Sequence, residues 1–244
     1  MNKALRLRDF TSARVALGRA GNSVPTRELL EFQLAHARAR DAVQAKLDTE
    51  VLALELQPLA GECLLARSAA PDRPTYLRSP DLGRRLSPES RRLLTERKGQ
   101  FDAVFIIADG LSALAVQRHA RRMLEAILQR LDPFGWKLTP VVLVEQGRVA
   151  IGDEIADCLG ASQAVLLIGE RPGLSAPDSL GIYLTWNPRP GLTDAQRNCI
   201  SNIRTEGLSC EAAAHTLLWL MTESRQRKLS GVGLRENQRA LEEA

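Results

Sequence analysis

Four short segments of this sequence carry side chains able to do chemistry in combination. In LLIGERPGLSAPDSLG, Glu170 closes an apolar run, and Gly169, Gly173 and Gly181 with Pro172 and Pro177 shape the loop around it. A carboxylate at a strand end can accept hydrogen bonds from a bound group. It can equally pair with a nearby arginine in a loop that is simply rigid. In RNCISNIR, the residues Arg197, Asn198, Ser201, Asn202 and Arg204 surround one small thiol, Cys199. That variety of hydrogen-bonding groups exceeds what a solvated surface needs and suits a ligand or subunit contact. In IIADGLS, Asp109 stands between a strand and a helix, where capping exposed N–H groups is the simpler role and ligand contact the alternative. The fourth segment, VEQGRVAIGDE, is the turn from Glu145 to Asp153 that leads into a helix.

Other chemistries find no support. His36, His119 and His215 fall inside helical stretches, far apart and outside any H-E-x-x-H pattern, so no three-ligand metal centre is expected. No G-x-G-x-x-G follows a strand and the phosphate-binding lysine motif is missing, which argues against dinucleotide or nucleoside triphosphate chemistry. Ser112, Ser175 and Ser201 lie in no nucleophile elbow. Cys63, Cys158, Cys199 and Cys210 have no metal-ligand spacing, and with no secretory leader legible they predict free thiols in a reducing, cytosolic setting. The 33 basic residues exceed the 29 acidic ones by four, but the arginines are scattered among acids, and aromatics make up only 4%. Nucleic-acid binding is therefore not expected. The longest apolar runs, VFIIA and AVLLIG, have strand length, so no membrane span is expected either.

The elements that must position these groups divide near residue 100. SVPTRELLEFQLAHARARDAVQAKLDTEVLALEL predicts one long helix or two consecutive ones, capped by Ser23 or Thr26 and ending near Gln57 and Pro58. Pro71, Pro74, Pro80 and Pro88 then punctuate a basic connector, with a short helix over ESRRLLTERK. Residues 1–100 thus read as a helical N-terminal region with a proline-rich connector. From Phe101 the pattern changes: FDAVFIIA, KLTPVVLVEQ and ASQAVLLIGE are strands separated by the helices LSALAVQRHARRMLEAILQRL and VAIGDEIADCLG. SLGIYLTWNP is a further strand, GLTDAQRNCISN a short helix with polar residues after it, and LSCEAAAHTLLWLMTESRQRK a closing helix. Residues 101–244 therefore predict a Rossmann-like, three-layer α/β domain with a parallel sheet buried on both faces. Ligands of such sheets gather beyond the carboxyl ends of the strands.

Taken in order, LRDFTSARVALGRAGNSVPTRELLEFQLAHARARDAV, IIADGLSA, RVAIGDEI, LLIGERPGLSAPDSLG and TDAQRNCISNIRTEGLS resemble the small subunit of adenosylcobalamin-dependent ethanolamine ammonia-lyase, from Leu5 to about Leu234. Some relatives carry a further segment in front of LRDFTSAR. The resemblance implies a divided enzyme, in which a TIM-barrel large subunit holds substrate and the catalytic side chains while this chain closes over part of the cobalamin, chiefly its nucleotide tail. It implies conversion of ethanolamine to acetaldehyde and ammonia by a radical route, with no turnover and no catalytic residue in this chain alone. Three cofactor contacts carry over by motif: Val149 before A-I-G-D-E, Glu170 of G-E-R-P-G, and Cys199 of R-N-C-I-S-N. Val149 packs against an apolar part, Glu170 accepts from a polar group, and Cys199 fits a narrow contact without covalent or redox work. Because the family leaves the cofactor's own benzimidazole on cobalt, no metal ligand is expected here. The resemblance also implies residues 1–100 as the large-subunit contact, a heterododecamer of six large and six small subunits, and a cytoplasmic place, inside a bacterial microcompartment where the organism makes one.

Overall fold

The computed structural model describes residues 10, 11 and 13–234. Part of the arginine-rich opening, residues 1–9 and 12, lies outside the described residues, as do residues 235–244. The stretch that could be one helix is two, α1 (Thr26–Gln44) and α2 (Thr49–Ala60). Asp48 separates them by accepting from the Val51 amide at 3.0 Å, which restarts the helix. Neither Ser23 nor Thr26 caps α1; Pro25 opens it without a side-chain cap. Pro58 does not end α2, because it sits in the last turn and the chain leaves only at Gly61, whose φ of 69° favours glycine.

A strand, β1 (Cys63–Arg67), follows in the stretch read as wholly helical and connector. It pairs in parallel with a strand from the second half, so the sheet is not confined to residues 101–244. CLLAR is short and half-exposed, with Leu64 and Ala66 buried and Leu65 facing out, and five residues give too little periodicity to announce themselves. The short helices α3 (Arg73–Arg78) and α4 (Pro88–Glu96) complete the front half. Their caps are Asp72, accepting from Thr75 at 2.7 Å, and Ser87, accepting from Ser90 at 3.1 Å. Each carries its proline in the first turn, where the missing N–H is harmless.

The second half alternates β2 (Phe101–Ala108), α5 (Ala113–Leu131), β3 (Val141–Glu145), α6 (Ile151–Leu159) and β4 (Ala161–Gly169), then β5 (Leu180–Trp186), β6 (Arg197–Ile203) and α7 (Cys210–Arg227). The sheet order is β1-β3-β2-β4-β5-β6. The first four run parallel, whereas β5 and β6 extend the sheet antiparallel. The parallel core and the flanking helical layers bear out the three-layer α/β expectation, and the antiparallel edge is the correction to it. A loop of 170–179 returns the chain beside β4 without a crossover helix, which only an antiparallel neighbour permits.

Both faces are apolar because β2 is hydrophobic from Ala103 to Ala108. Ala103, Phe105 and Ile107 pack with α2, α5 and α7 on one side; Val104, Ile106 and Ala108 pack with α4 and α6 on the other. Burying a side chain of that size stabilises by about 1.5–3 kcal/mol, so this strand fixes the sheet's register and with it the loops at its carboxyl end. No helix among the described residues is long and apolar enough to cross a membrane.

Candidate functional site

The chain leaves β2 for β3 on one side and, after α6, crosses to β4 on the other, so β2 is flanked by the two strands that follow it. That reversal opens a crevice above the carboxyl end of β2. A cleft of about 440 Å³ occupies it, lined by Gly110 and Leu111 after β2, Arg148 and Val149 after β3, Glu170 and Arg171 after β4, Tyr183 of β5 and Tyr76 of α3. Three of the four segments singled out in the sequence meet here.

Asp109 does not cap α5; Ser112 does, accepting from the Ala115 amide at 3.3 Å. The Asp109 side chain turns under the sheet end, where its carboxylate accepts from Arg73 Nη1 at 3.1 Å and from the Gly147 amide at 3.1 Å. Arg73 also donates to the carbonyls of Gly110 (2.9 Å) and Val43 (2.7 and 2.9 Å), tying α3 to the end of α1 and to the β2 turn. Burial pushes the Asp109 carboxyl up to about 6, against the pull of the Arg73 guanidinium.

Tyr76, fully buried, donates its hydroxyl to the Gly147 carbonyl at 3.0 Å. Its ring lies 4.8 Å from the Arg73 guanidinium and 4.3 Å from that of Arg148. Burial raises its phenol well above the ordinary range. The backbone of Arg148 donates to Gly83 at 2.7 Å, while Gln146 takes a left-handed φ of 58° to turn the chain into this loop. The proline-rich connector therefore builds one wall of the cleft. Val149 follows directly, packed on the α6-side core and facing the cleft.

On the opposite wall Glu170 Oε2 accepts from the Ser179 hydroxyl and from the Asn202 amide at 3.1 Å. Its Oε1 has no hydrogen bond among the described residues and lies where a Cβ on Gly181 would come within 2.9 Å. Of the two sequence readings, pairing with an arginine is thus replaced by hydrogen bonds that hold one oxygen and leave the other.

Cys199 lies outside the lining, in β6 and not in a polar loop. It stands opposite Tyr183 in the antiparallel register of β5 and β6. Partial desolvation of the thiol at this otherwise exposed residue raises its pKa, with the Glu170 charge adding to the rise. The polar neighbours are mostly structural. Arg197, buried, pairs with Asp153 at the start of α6 and with Asp194 at 3.0 Å. The Asn198 side chain donates to the Leu234 carbonyl at 2.7 Å and accepts from the Gly231 amide at 2.7 Å. An edge strand that exposes Cys199, Ser201 and Asn202 while burying Ile200 and Ile203 reads as a polar loop in sequence.

Val149 and Glu170 are thus brought to one cleft, with Cys199 behind Tyr183 at its rim. Sequence reasoning missed Tyr76, Arg148 and Tyr183. Arg148 lies inside the VEQGRVAIGDE segment already singled out and Tyr183 just beyond LLIGERPGLSAPDSLG, whereas nothing near Tyr76 in sequence points to a site.

A family model for the ethanolamine ammonia-lyase light chain matches residues 1–235. Among curated relatives, an ethanolamine ammonia-lyase small subunit from Pseudomonas fluorescens is 56% identical over 239 residues, covering 96% of this chain and 87% of the relative. One from Azotobacter vinelandii is 57% identical over 235 residues, covering 95% and 87%. A third, from Pseudomonas aeruginosa, is 56% identical over 239 residues, covering 96% and 88%.

Proposed function

The chain belongs to the family of ethanolamine ammonia-lyase light chains, and on that premise we propose that it is the cofactor-holding small subunit of an enzyme that converts ethanolamine to acetaldehyde and ammonia. Its partner is a large catalytic subunit, and adenosylcobalamin lies between the two. The observation that carries this reading is the convergence of Val149 and Glu170 on one cleft at the sheet's switch point, with Cys199 against Tyr183 at the rim.

The residues fit part of such a cofactor. A cleft of about 440 Å³ suits a ligand of drug size and is too small for a corrin ring and its nucleotide tail together. The remainder then needs a second wall, which a large subunit supplies. The lining is apolar at Val149, Leu111 and Ile168, accepts at Glu170 and donates at Arg148, a mixture suited to an amide-fringed molecule. Adenosylcobalamin, when bound, supplies the radical chemistry by homolysis of its cobalt–carbon bond. This chain's groups orient it: Val149 packs, Glu170 accepts, and the Tyr183–Cys199 pair limits the space. No side chain of this subunit is assigned a catalytic role.

The front half supports the partner assignment. In α1 only Ala42 is buried, while Leu29, Leu30, Phe32 and Leu34 are 45, 58, 41 and 53% exposed. A helix of 19 residues with its leucines in water gains little from its own fold and has much to gain from a partner. We take residues 1–100 as the contact region and the whole as a dodecamer with six of each subunit. All four cysteines are free, which supports a reducing, cytoplasmic compartment, enclosed where the organism makes such shells.

The test is reconstitution. The chain alone is expected to release no ammonia from ethanolamine, and the complex with its large subunit and adenosylcobalamin to do so. Ammonia release by the isolated chain, or a complex that turns over without cobalamin, overturns the proposal.

A further inference from the structure

Arg148 is held in place without being neutralised. Its stem packs so closely on Gly83 that a Cβ there would come within 2.7 Å of Arg148 Cγ. Its guanidinium stacks 4.3 Å from the Tyr76 ring centroid, and Nη2 donates to the Tyr76 carbonyl at 3.2 Å. Stem, plane and one donor are fixed, yet Nε is buried with no hydrogen-bond partner. No carboxylate among the described residues pairs with Arg148. The nearest candidate for that role in the cleft, Glu170, already receives Ser179 and Asn202 on one oxygen. Arg171 lines the same cleft, so two arginines and one carboxylate contribute to its lining.

A preordered, uncompensated guanidinium in a concave site is the arrangement that recognises an oxyanion, since its planar donors match phosphate geometry and little rotamer freedom remains to be lost. We propose that Arg148 is the anion-recognising residue of the cleft, and that it takes a phosphodiester oxygen of the cofactor's nucleotide tail. This rests on the cobalamin reading above and adds to it the residue, Arg148, that recognises the anionic group. It also accounts for Tyr76 and Gly83, which hold the arginine ready before any ligand arrives. A corrin amide is the weaker alternative, because a neutral carbonyl would leave the positive charge uncompensated.

The experiment measures binding to the two-subunit complex of three probes: adenosylcobalamin, adenosylcobinamide phosphate, and adenosylcobinamide, which lacks the phosphate and the lower, benzimidazole-bearing nucleoside. Dissociation constants come from absorbance titration, independent of turnover. Arg148→Gln is expected to weaken the two phosphate-bearing probes by about 10- to 150-fold, the range for one hydrogen bond to a charged group, and to leave adenosylcobinamide unchanged. Equal weakening of all three, or weakening of adenosylcobalamin alone, overturns the assignment to phosphate. A wild-type complex that binds none of them removes the cobalamin reading itself, a different result from either. Should Arg148→Gln fail to assemble, Arg148→Lys keeps the charge and stem while losing the planar fork, and a several-fold loss confined to the phosphate-bearing probes is expected. Uniform binding by that variant to all three probes, unchanged from wild type, also overturns the proposal.

Discussion

Arg73 and Asp109 meet at 3.1 Å with side chains only 8% and 6% exposed, and between them they join four parts of the chain that are distant in sequence. Arg73 reaches the last turn of α1 and the β2 turn; Asp109 reaches the β3 loop through Gly147. The loop that carries Arg148 and Val149 is therefore positioned by a residue of the proline-rich connector. Stability and ligand geometry are coupled here, because whatever loosens the pair also frees one wall of the cleft.

Removing Arg73 should expose that coupling through pH. The folded-state carboxyl of Asp109 lies near 6, above its unfolded value of 3.8. Its favourable contribution is thus complete below about pH 4 and lost as pH rises through about 6. Arg73→Met leaves a buried carboxylate unpaired at neutral pH, which costs about 3–5 kcal/mol. Below pH 5 the carboxyl is largely protonated and the same substitution should cost less. Urea unfolding of the full chain at pH 5 and 7.5 checks this, and an equal loss at both values would count against a charge-based role.

Glu170 should govern cofactor affinity and not the rearrangement. Glu170→Gln keeps an oxygen for Ser179 and Asn202 but replaces the free acceptor by a donor. The expected result is an apparent KM for cobalamin raised by roughly 5- to 150-fold, from about 1–3 kcal/mol of lost charge-assisted bonding, with turnover at saturation nearly unchanged. Gly181→Ala offers an independent route to the same effect. Its methyl would press on Oε1 at 2.9 Å and displace the flexible carboxylate without altering charge. A fall in saturated turnover with unaltered affinity in both variants contradicts this assignment.

What was legible in sequence follows from how each element is buried. FDAVFIIA announced itself because both its faces are covered, and VAIGDEIADCLG because an apolar stripe ends at a glycine, Gly160, whose φ of 74° closes the helix. The edge strands were not legible. β1 buries only Leu64 and Ala66, and β6 alternates irregularly, so neither shows the run or the period that marks a strand. The ends of β3 and β4 could be read as site positions from the parallel pattern alone. Tyr76 and Arg73 could not, because their partners lie 71 and 36 residues away and only the folded connector brings them in.

The exposed leucines of α1 should matter for assembly more than for folding. Leu30→Glu with Leu34→Glu removes no buried contact within the chain, since both are more than half exposed. If both are covered by the large subunit, about 1.5–3 kcal/mol is lost for each, and association weakens by roughly 100-fold or more. Sedimentation of mixed subunits measures the association and thermal unfolding of the small subunit serves as control. Unchanged association with the substituted helix would sink the assignment of this face.

Cys199 is expected to limit space and not to react. Partial desolvation raises the thiol's pKa and the Glu170 charge raises it further, so the protonated form dominates at neutral pH and the nucleophilic thiolate is scarce. Its register partner across the strand pair, Tyr183, lines the cleft, which makes its influence on a ligand one of shape. Cys199→Ser and Cys199→Ala both come close to the volume of the cysteine. Both should retain most of the activity of the reconstituted complex. Cys199→Trp is expected to press on its register partner Tyr183 and move that ring toward the cleft, and a displacement of about 1 Å at a positioned ligand can cost on the order of 100-fold in rate. The three variants are compared by cobalamin binding and by ammonia release at saturation. Turnover abolished in Cys199→Ser, with cofactor binding and subunit assembly intact, would show that the sulfur itself takes part in the chemistry.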